Sequence, residues 1–580
     1  MSRKITIGGA AGMWGDSALA TPQLLARGGC DYIVYEALAE ITMAILTKAR
    51  GKDPAAGFAR DVIAVIGENL AAFRNQGIKV ITNAGGVNPA AASTALRALA
   101  GKAGVTVKIA TVTGDDVLDL LDDIPGTTIS ANAYLGARPI AAALDAGADI
   151  VVTGRVVDSA LVLGPLIHAF QWQPEDFDRL SSGSLAGHLL ECGPQSTGGL
   201  LTDWQDTPSW ANPGFPIVEV EAGGSFIVTA APDTDAVVDR RTVAEQILYE
   251  IGDPTAYLLP DVTCDWSQVR LAETGHNRVA VSNAKGSPPP PTLKVCAQIP
   301  DGFRAALQYF VGGRDAVAKA QRAGDQIVER GRRLLVRKGF ADFRNVNVHA
   351  VGSEATYGAH ARDNTSRESL LWVAVHHDDA AAITAFAREF PSIGLGGPPG
   401  IGGAAGAGLP KPSPVLRIQD CHIPREGVLA RVELDGMPVS WRDVPAGLCK
   451  RVEARGPDAV AAVAPARPDR TVPLIRIAHG RSGDKGDSVN IGIIARHPDF
   501  ENLIVSQLTV EAVAAWLSHL GARRIERYAL PGLGAVNFLL VGGLGSSGAA
   551  SLRIDPQGKA VAQQLLDFPI SIPEDLEMRI

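Results

Sequence analysis

The sequence predicts an α/β fold: a large N-terminal region with a mostly parallel sheet, an interwoven α+β part, and a small C-terminal α+β domain. Three observations support this. The first two hundred residues alternate short β-rich runs with Ala-rich helical runs. From about Ile217, paired β-runs outnumber helices. A stretch rich in Ala, Pro and Arg over 454–473 has the composition of a linker. We therefore expect a region over 1–453, divided into 1–215 and 216–453, and a domain over 474–580.

The alternation in the first part sets out the parallel sheet element by element. Apolar β-rich runs predict strands at 4–7, 31–35, 78–82, 105–112, 128–131 and 149–153, and Ala-rich runs predict helices at 59–76, 89–103 and 139–146. Because the carboxyl ends of parallel strands meet at one edge, the turns after them are expected to form a ligand crevice. We expect Asn83, Asn132 and Arg155 to bind substrate there, with Asp158 orienting the arginine. A simple Arg-Asp loop brace is the alternative.

A glycine-rich turn follows the first predicted strand. Gly8, Gly9 and Gly12 would let backbone N–H groups approach an anion, and Asp16 would orient water, bind a metal or cap the next helix. The segment lacks the lysine of a Walker A loop and the spacing of a dinucleotide fingerprint. We therefore predict an anion-binding loop of low specificity.

Hairpins and isolated helices characterise the α+β part. The patterns predict strands at 217–220 and 225–229 in one hairpin, helices at 243–249 and 314–337, and a strand at 370–377. A glycine-rich stretch at 393–409 carries apolar residues, which favours a packed loop and makes it a candidate lid. A flexible linker is the alternative.

The C-terminal domain is predicted as a compact unit with strands at 474–478, 489–495, 525–530 and 536–541 and a helix at 510–520. The segment 479–488 between the first two strands is predicted to be a loop. It carries Arg481, Asp484, Lys485 and Asp487 on a glycine frame. This composition suits a loop that holds an anion or reaches into a neighbouring site. A charged hairpin with internal ion pairs is the alternative.

The segment GHLLECGPQSTGG, from Gly187 to Gly199, concentrates chemically active side chains. If 184–192 is helical, Glu191 and Cys192 lie beside His188 on one face, and Gly193-Pro194 ends the helix. A histidine beside a carboxylate can transfer protons near neutral pH, and a neighbouring thiol can act as a nucleophile. The alternative is a structural helix end, with His188 on the last carbonyls and Cys192 in the core.

Composition excludes several classes of protein. The 54 Lys and Arg and 62 Asp and Glu give a net charge of −8 without long blocks of one sign, which argues against nucleic-acid binding. The six cysteines are scattered without metal-ligand spacing, and no apolar run suits a signal peptide or a membrane span. We expect a cytoplasmic protein without a bound metal and, because large Gly-rich α/β enzymes commonly bury symmetric interfaces, a homo-oligomer. The spacing of possible ligands does not require a metal. Residues that could supply hard or borderline ligands are Asp16, Asp115, Asp116, His188 and Glu191.

Three motifs in register resemble the acyclic terpene utilisation (AtuA) family: GHLLECGPQSTGG, YEIGDPTAYLLPDVTCDW over 249–266, and HGRSGDKGDS over 479–488. The resemblance covers almost the whole chain. It implies a large N-terminal region and a small ferredoxin-like domain, which the family also has as a separate protein. It also implies a role in the breakdown of acyclic terpenoids such as citronellol and geraniol, a route that runs through branched acyl-CoA thioesters and a biotin-dependent carboxylase. The family supplies no settled list of catalytic residues.

Two functions from different classes remain open. The first is an enzyme, a lyase or hydrolase, that acts on a branched acyl-CoA or its free acid by hydration, C–C cleavage or thioester hydrolysis. Coenzyme A would then enter as part of the substrate. The second is a non-catalytic acyl-CoA-binding or assembly subunit for a partner carboxylase. A nucleotide-dependent ligase is less favoured because no complete phosphate-binding motif is present.

Overall fold

The structure, a computed structural model, describes residues 3–121, 124–362, 365–403, 408–451, 470–573 and 576. Strands and helices alternate through the first part of the chain. They are β1 (Lys4–Gly12), α1 (Ala20–Arg27), β2 (Tyr32–Glu36), α2 (Glu40–Lys52), α3 (Arg60–Glu68), α4 (Leu70–Gln76), β3 (Lys79–Thr82), α5 (Pro89–Ala103), β4 (Ile109–Thr113), β5 (Ser130–Ala133), α6 (Arg138–Asp145), β6 (Ile150–Thr153), α7 (Ala160–Phe170) and α8 (Phe177–Glu191). The predicted helix at 59–76 is two helices, α3 and α4, which meet at Asn69.

The middle of the chain is richer in strands. Its elements are β7 (Pro216–Glu221), β8 (Phe226–Ala230), α9 (Arg240–Leu248), β9 (Tyr257–Leu258), β10 (Thr263–Asp265), β11 (Arg270–Gly275), β12 (Arg278–Ser282), β13 (Lys285–Ser287), β14 (Thr292–Gly312), α10 (Ala316–Lys338), β15 (Asn345–Val351), β16 (Glu368–His377), α11 (Ala380–Glu389), α12 (Ile393–Gly396), β17 (Ile401–Gly403), β18 (Ser413–Pro424), β19 (Arg431–Leu434) and β20 (Met437–Pro438). The glycine-rich stretch predicted as a lid thus contains α12 and β17, and its residues 404–407 lie outside the described residues.

The main sheet has eleven strands in the order β11-β12-β8-β7-β1-β2-β3-β6-β4-β19-β20. Its centre, β1-β2-β3-β6-β4, is parallel, and antiparallel strands extend it on both sides. The predicted α/β class is therefore confirmed, and the α+β part is interwoven with the parallel sheet because it supplies the flanking strands. Helices α6, α7 and α8 bury one face of the sheet, and α1, α3 and α5 bury the other.

A second sheet is built on the 21-residue strand β14. It has the order β15-β16-β14-β17, and β18 and β5 also pair with β14. The strand predicted at 128–131 was expected in the parallel sheet, but β5 instead pairs antiparallel with β14, with Asn132 opposite Cys296. The local sequence is sufficient to predict that this segment is a strand. It does not indicate which strand pairs with it, because that partner lies more than 160 residues away in the chain. Strands β9, β10 and β13 form a further small sheet.

The C-terminal domain contains β21 (Arg470–Pro473), β22 (Ala478–Lys485), β23 (Ser488–Ala495), α13 (Pro498–Gln507), α14 (Val510–Trp516), β24 (Arg524–Leu530), β25 (Ala535–Val541), α15 (Val561–Leu565) and β26 (Pro569–Ile572). Four of its strands form an antiparallel sheet in the order β22-β23-β25-β24. Strand β21 occupies the last four residues of the predicted linker, and 452–469 lie outside the described residues.

Two details of the predicted C-terminal domain are wrong. The segment 474–478 is mostly a short 3-10 helix, and the predicted loop at 479–488 is a β-hairpin: β22 and β23 pair in register from Ala478↔Ala495 to Lys485↔Ser488. Polar residues of β22 are buried against the N-terminal region, so the strand lacks the apolar alternation by which strands are recognised.

The C-terminal sheet packs closely on α9 and the segment after it. A Cβ atom at Gly483 would lie 2.4 Å from the Tyr249 ring, and one at Gly492 would lie 2.5 Å from the Leu248 Cβ. Glycine at these positions therefore lets β22 and β23 approach the N-terminal region more closely than any other residue would.

No helix among the described residues is both long enough and apolar enough to cross a bilayer.

Candidate active site

A cavity of about 460 Å³ lies between the N-terminal region and the β22–β23 hairpin. This volume is in the range, roughly 300–1,000 Å³, of sites for small organic ligands. Part of its wall follows the carboxyl ends of the parallel strands β2 and β6, where such sheets bind ligands. Predicted site residues from both regions line it: Arg155, Asp158, His188, Glu191, Asp484 and Lys485. We call it the active-site cavity.

His188 and Glu191 form a hydrogen-bonded pair at the end of α8. Their spacing of three residues places them on one helix face, and His188 Nδ1 lies 2.8 Å from Glu191 Oε1. The other ring nitrogen, Nε2, lies 2.9 Å from the carbonyl oxygen of Gln246. A carbonyl oxygen only accepts, so Nε2 carries a proton. Burial raises the pKa of Glu191, against the lowering effect of His188.

Arg155 is buried, and its guanidinium is fixed in place. Nη1 donates to the Leu38 carbonyl oxygen at 2.5 Å and to Asp158 Oδ1 at 2.8 Å, and the guanidinium carbon lies 4.2 Å from the centre of the Tyr134 ring. Its Nε is buried and has no hydrogen-bond partner among the described residues. The structure thus contains the predicted ion pair between Arg155 and Asp158, and both residues line the cavity.

Lys294 on β14 is a second cation of the cavity. Its Nζ lies 3.1 Å from Glu40 Oε1 and 3.0 Å from Asp420 Oδ2, and 5.0 Å from the Tyr134 ring centre. The ligand atoms of Glu40, Cys296 and Asp420 lie within 4.8 Å of one another, which is close enough to hold a metal ion. The Lys294 ammonium lies within ion-pair distance of both carboxylates there, so we assign this cluster to an ion-pair network. Sequence reasoning missed Glu40 and Lys294 because they meet only in the fold.

The β22–β23 hairpin brings Asp484 and Lys485 to the cavity. Burial, and then the nearby Glu250 carboxylate, raise the pKa of Asp484 to about 7. Lys485 Nζ lies 5.3 Å from the centre of the Tyr257 ring. A carboxyl group that titrates near neutral pH on a cavity wall is a mark of acid–base catalysis.

Glu250 is a further cavity residue that the sequence analysis did not select. Its φ is +57°, a left-handed conformation that costs a non-glycine residue roughly 1 kcal/mol or more. Two buried asparagines of the C-terminal sheet hold this turn: the Glu250 N–H donates to Asn490 Oδ1 at 2.8 Å, and Asn537 Nδ2 donates to the carbonyl oxygens of Ile251 and Gly252. The position within the motif YEIGDP was the available signal, since Gly and Pro after a helix predict a turn.

The cavity also has an apolar side. Ile41, Leu258 and Ile418 line it, and Ile41 and Leu258 are exposed large side chains. A ligand with a hydrocarbon part and a polar end would therefore find complementary surfaces.

Several predicted site residues lie outside the cavity wall, among them Cys192, Asn83 and Asn132. Among the described residues, the lining does not include Cys192, and burial raises the pKa of its thiol well above the usual value, with Glu191 and Glu250 adding to the effect. Asn83 instead accepts from the Ala37 N–H and donates to Glu36, and Asn132 donates to Asp115. Both asparagines hold turns that follow strands, and neither is among the described residues that line the cavity.

The predicted anion-binding loop is different in the structure, because β1 continues to Gly12. Asp16 supplies the anion itself: its carboxylate accepts from the Gly12 and Ser17 N–H groups at 2.8 and 2.6 Å. A Cβ atom at Gly8, Gly9 or Gly12 would lie 2.8 Å from Leu24, 3.2 Å from Leu190 or 2.5 Å from Cys192, respectively. The glycines thus permit close packing of β1 on α1 and α8.

Arg481 also lies away from the cavity wall. It is buried between the two regions, where it donates to the Leu200 carbonyl oxygen at 3.2 Å and to Gln195 Oε1, and its guanidinium stacks 4.6 Å from the Tyr249 ring centre. We conclude that Arg481 fixes the C-terminal domain to the α8 end of the N-terminal region.

Comparisons with known proteins agree with this two-part architecture. The model of the acyclic terpene utilisation family protein AtuA matches residues 5–434, and that of the AtuA ferredoxin-like domain matches residues 472–571. No curated protein and no solved structure matches the chain. Since the first match alone spans well over half of the sequence, the chain belongs to the acyclic terpene utilisation family AtuA.

Proposed function

We propose that this protein is an enzyme of acyclic terpenoid breakdown that transfers protons on a branched acyl-CoA or its free acid, in a hydration or a C–C cleavage. One observation carries the proposal: a proton-sharing pair from the N-terminal region, His188 and Glu191, and a carboxyl group from the C-terminal domain, Asp484, line one cavity. Coenzyme A enters as part of the substrate.

Glu191 is the proposed base. Because His188 Nε2 donates to the Gln246 carbonyl oxygen, the hydrogen bond between Nδ1 and Oε1 contains one proton, which either group can hold. Burial raises the Glu191 pKa and so makes this carboxylate a stronger base than a solvated one. His188 orients the carboxylate and stabilises its charge.

Asp484 is the proposed acid, because a pKa of about 7 leaves a large fraction of it protonated at neutral pH. In a hydration, Glu191 takes a proton from a water molecule while the water oxygen bonds to the β-carbon of the acyl group. Asp484 then gives a proton to the α-carbon. In a C–C cleavage, Glu191 takes the proton of a β-hydroxyl, the Cα–Cβ bond breaks, and Asp484 protonates the α-carbon. Both reactions need the same two groups.

Cations and apolar side chains of the cavity complete the proposal. Either reaction develops negative charge on the carbonyl oxygen, and Arg155, Lys294 and Lys485 are the cavity cations that would stabilise it. The branched hydrocarbon part suits the wall formed by Ile41, Leu258 and Ile418. Thioester hydrolysis by a thiolate is less favoured, because burial raises the Cys192 pKa.

The experiment compares Glu191→Gln with the wild type. Purified protein is incubated with branched C5 to C10 acyl-CoAs that carry either an α,β double bond or a β-hydroxyl group, and products are detected by mass, as a gain of water or as two fragments. We expect Glu191→Gln to lose at least about a hundredfold in kcat, since it cannot accept the proton. Its thermal unfolding should stay close to that of the wild type.

Glu221→Gln, at an exposed strand end, is the matched control and should leave turnover unchanged. A folded Glu191→Gln variant with wild-type turnover would exclude Glu191 as the base. Acyl-CoA binding by a wild-type protein that turns over none of the panel would instead favour a non-catalytic subunit that presents the acyl-CoA to a carboxylase.

A further inference from the structure

A second cavity of about 700 Å³ adjoins the active-site cavity. The two cavities share three wall residues, Ile418, Lys485 and Gly486. Most of the remaining wall comes from the start of β15, from β18 and from the loop over 544–553 that follows β25, and Asp301, His376, Asp487 and Ser488 complete it. A ligand that occupied both cavities would therefore pass the turn of the β22–β23 hairpin.

Each carboxylate that lines this second cavity has a cationic partner outside the cavity wall. Asp301 lies 2.9 Å from Arg344, Asp420 lies 3.0 Å from Lys294, and Asp487 lies 2.9 Å from Arg523. None of these three cations is among the lining residues that the structure describes. The partner cations thus offset part of the negative charge of these carboxylates, although Lys294 and Arg344 also pair with Glu40 and Asp378.

Its own cations are not neutralised in this way. Arg417, Lys485 and Arg553 line the cavity, and none of the three has a carboxylate within 4.0 Å in the part of the chain that the structure describes. Arg417 donates only to the neutral Gln419 side chain at 3.3 Å. Burial lowers the pKa of Arg553, with only partial compensation from Asp555. The cavity therefore presents three cationic side chains that are not in contact with a carboxylate and can pair with an anionic ligand.

Neutral hydrogen-bonding groups stand beside these cations. Ser546, Ser547 and Gly545 lie on the loop after β25, and Asn345 and Asn347 on β15. Ser547 is 7% exposed, and its Oγ has no hydrogen-bond partner among the described residues. Buried hydroxyl groups are normally paired, so this one indicates a missing partner. Guanidinium, hydroxyl and glycine N–H groups together are typical of sites for phosphate groups.

We propose that the second cavity binds the phosphorylated nucleotide end of a coenzyme A thioester, whose acyl end extends past Lys485 and Gly486 into the active-site cavity. The identification of the ligand as coenzyme A rests on the proposed function. The expectation that the ligand is negatively charged follows from the residues of the second cavity alone. A free nucleoside diphosphate would present the same diphosphate chemistry, so the experiment separates the two sources.

The test measures binding of free coenzyme A and of ADP to the full-length protein by calorimetry. We expect coenzyme A to bind, and Arg553→Gln and Arg417→Gln each to weaken its binding about tenfold. Arg333→Gln, at a side chain 78% exposed on α10, should leave the affinity unchanged. Coenzyme A affinity that is equal in all four proteins, or ADP binding without coenzyme A binding, would overturn the proposal.

Measurements of binding and of turnover separate the two proposals, because binding tests the second-cavity site and turnover tests the proposed proton transfer. If the protein turns over acyl-CoAs, Arg553→Gln should raise KM for an acyl-CoA far more than for the same acyl group on pantetheine, which lacks the phosphates. Equal effects on both substrates would overturn the second-cavity site while leaving the proton-transfer function intact. Loss of coenzyme A binding in Arg553→Gln would support the site even if the wild type turned over none of the panel.

Discussion

Asp484 and Glu191 reach the same cavity from different parts of the chain, and different neighbours tune them. Glu191 faces a histidine that shares its proton, whereas Asp484 faces Glu250, a like charge. Enzymes that use one group as base and another as acid commonly rely on such unequal surroundings. The assignment of roles therefore rests on the partners of each carboxyl group.

The pKa of Asp484 predicts an alkaline limb in the pH profile. Its folded pKa of about 7 lies above the usual 3.8, so the protonated acid is lost as pH rises through about 7. We expect kcat/KM of the wild type to fall there. Asp484→Asn should reduce kcat/KM at least a hundredfold and remove this limb from the residual activity. Asp325→Asn, exposed on α10, serves as control, and a limb near pH 7 that persisted in Asp484→Asn would contradict the assignment.

At the scale of elements, α5 and β22 mark the limits of prediction from sequence. The helix predicted at 89–103 matches α5 because its signals are local: Asn88 caps it, Pro89 opens it, and Gly104 ends it in a left-handed conformation. Strand β22 was predicted as a loop because its polar residues pair with groups elsewhere, for example Arg481 with the Leu200 carbonyl oxygen. Tertiary partners determine such a strand, and a single sequence does not contain their positions.

The active site divides in the same way. His188 and Glu191 were predictable because three residues along a helix fix their distance. Lys294 and Glu40 are 254 positions apart, and the strained turn at Glu250 depends on Asn490 and Asn537 of the other domain. Charges that meet only through the fold give no pattern in the sequence.

The contact of β1 with the end of α8 gives a test at this scale. A Cβ atom at Gly12 would lie 2.5 Å from the Cys192 carbonyl carbon and 2.6 Å from the Gly193 nitrogen, which are backbone atoms with little freedom to move. We expect Gly12→Ala to lower the free energy of unfolding by about 1–3 kcal/mol in urea titrations.

Gly101→Ala is the matched control for Gly12→Ala. Gly101 lies inside α5, and a Cβ atom there would meet nothing within 4 Å. Alanine should raise the free energy of unfolding by about 0.5–1 kcal/mol at this position. Equal effects of the two substitutions would show that the close approach at Gly12 is relieved without cost.

At the scale of the whole molecule, a buried charged cluster joins the two regions. His479 on β22 lies 3.5 Å from Asp203, which also forms two short contacts of 2.6 and 2.7 Å with Arg496. Glu245 on α9 lies 3.9 Å from the same ring. Burial, and then Arg496, lower the pKa of His479 to about 4. The junction between the regions is therefore arranged around a neutral imidazole.

Acid should weaken this junction. The unfolded chain takes up a proton on His479 near pH 6.5, before the folded protein does, so the contribution of His479 to stability is present above pH 6.5 and is lost as pH falls towards 4. We expect the difference in unfolding free energy between wild type and His479→Asn to shrink by about 3 kcal/mol over this range. Urea titrations at several pH values measure it, and a constant difference would refute the expectation.

The hairpin turn at Gly486 carries cavity residues across a domain boundary, which makes this site a composite one. Because the N-terminal region and the C-terminal domain belong to one chain, they assemble the site in a unimolecular step. The linker between them sets their effective concentration at roughly millimolar, independent of how much protein is present. Two separate polypeptides would have to find each other at each dilution. Covalent fusion thus keeps Asp484 and Glu191 in a one-to-one ratio at this cavity, whatever the protein concentration.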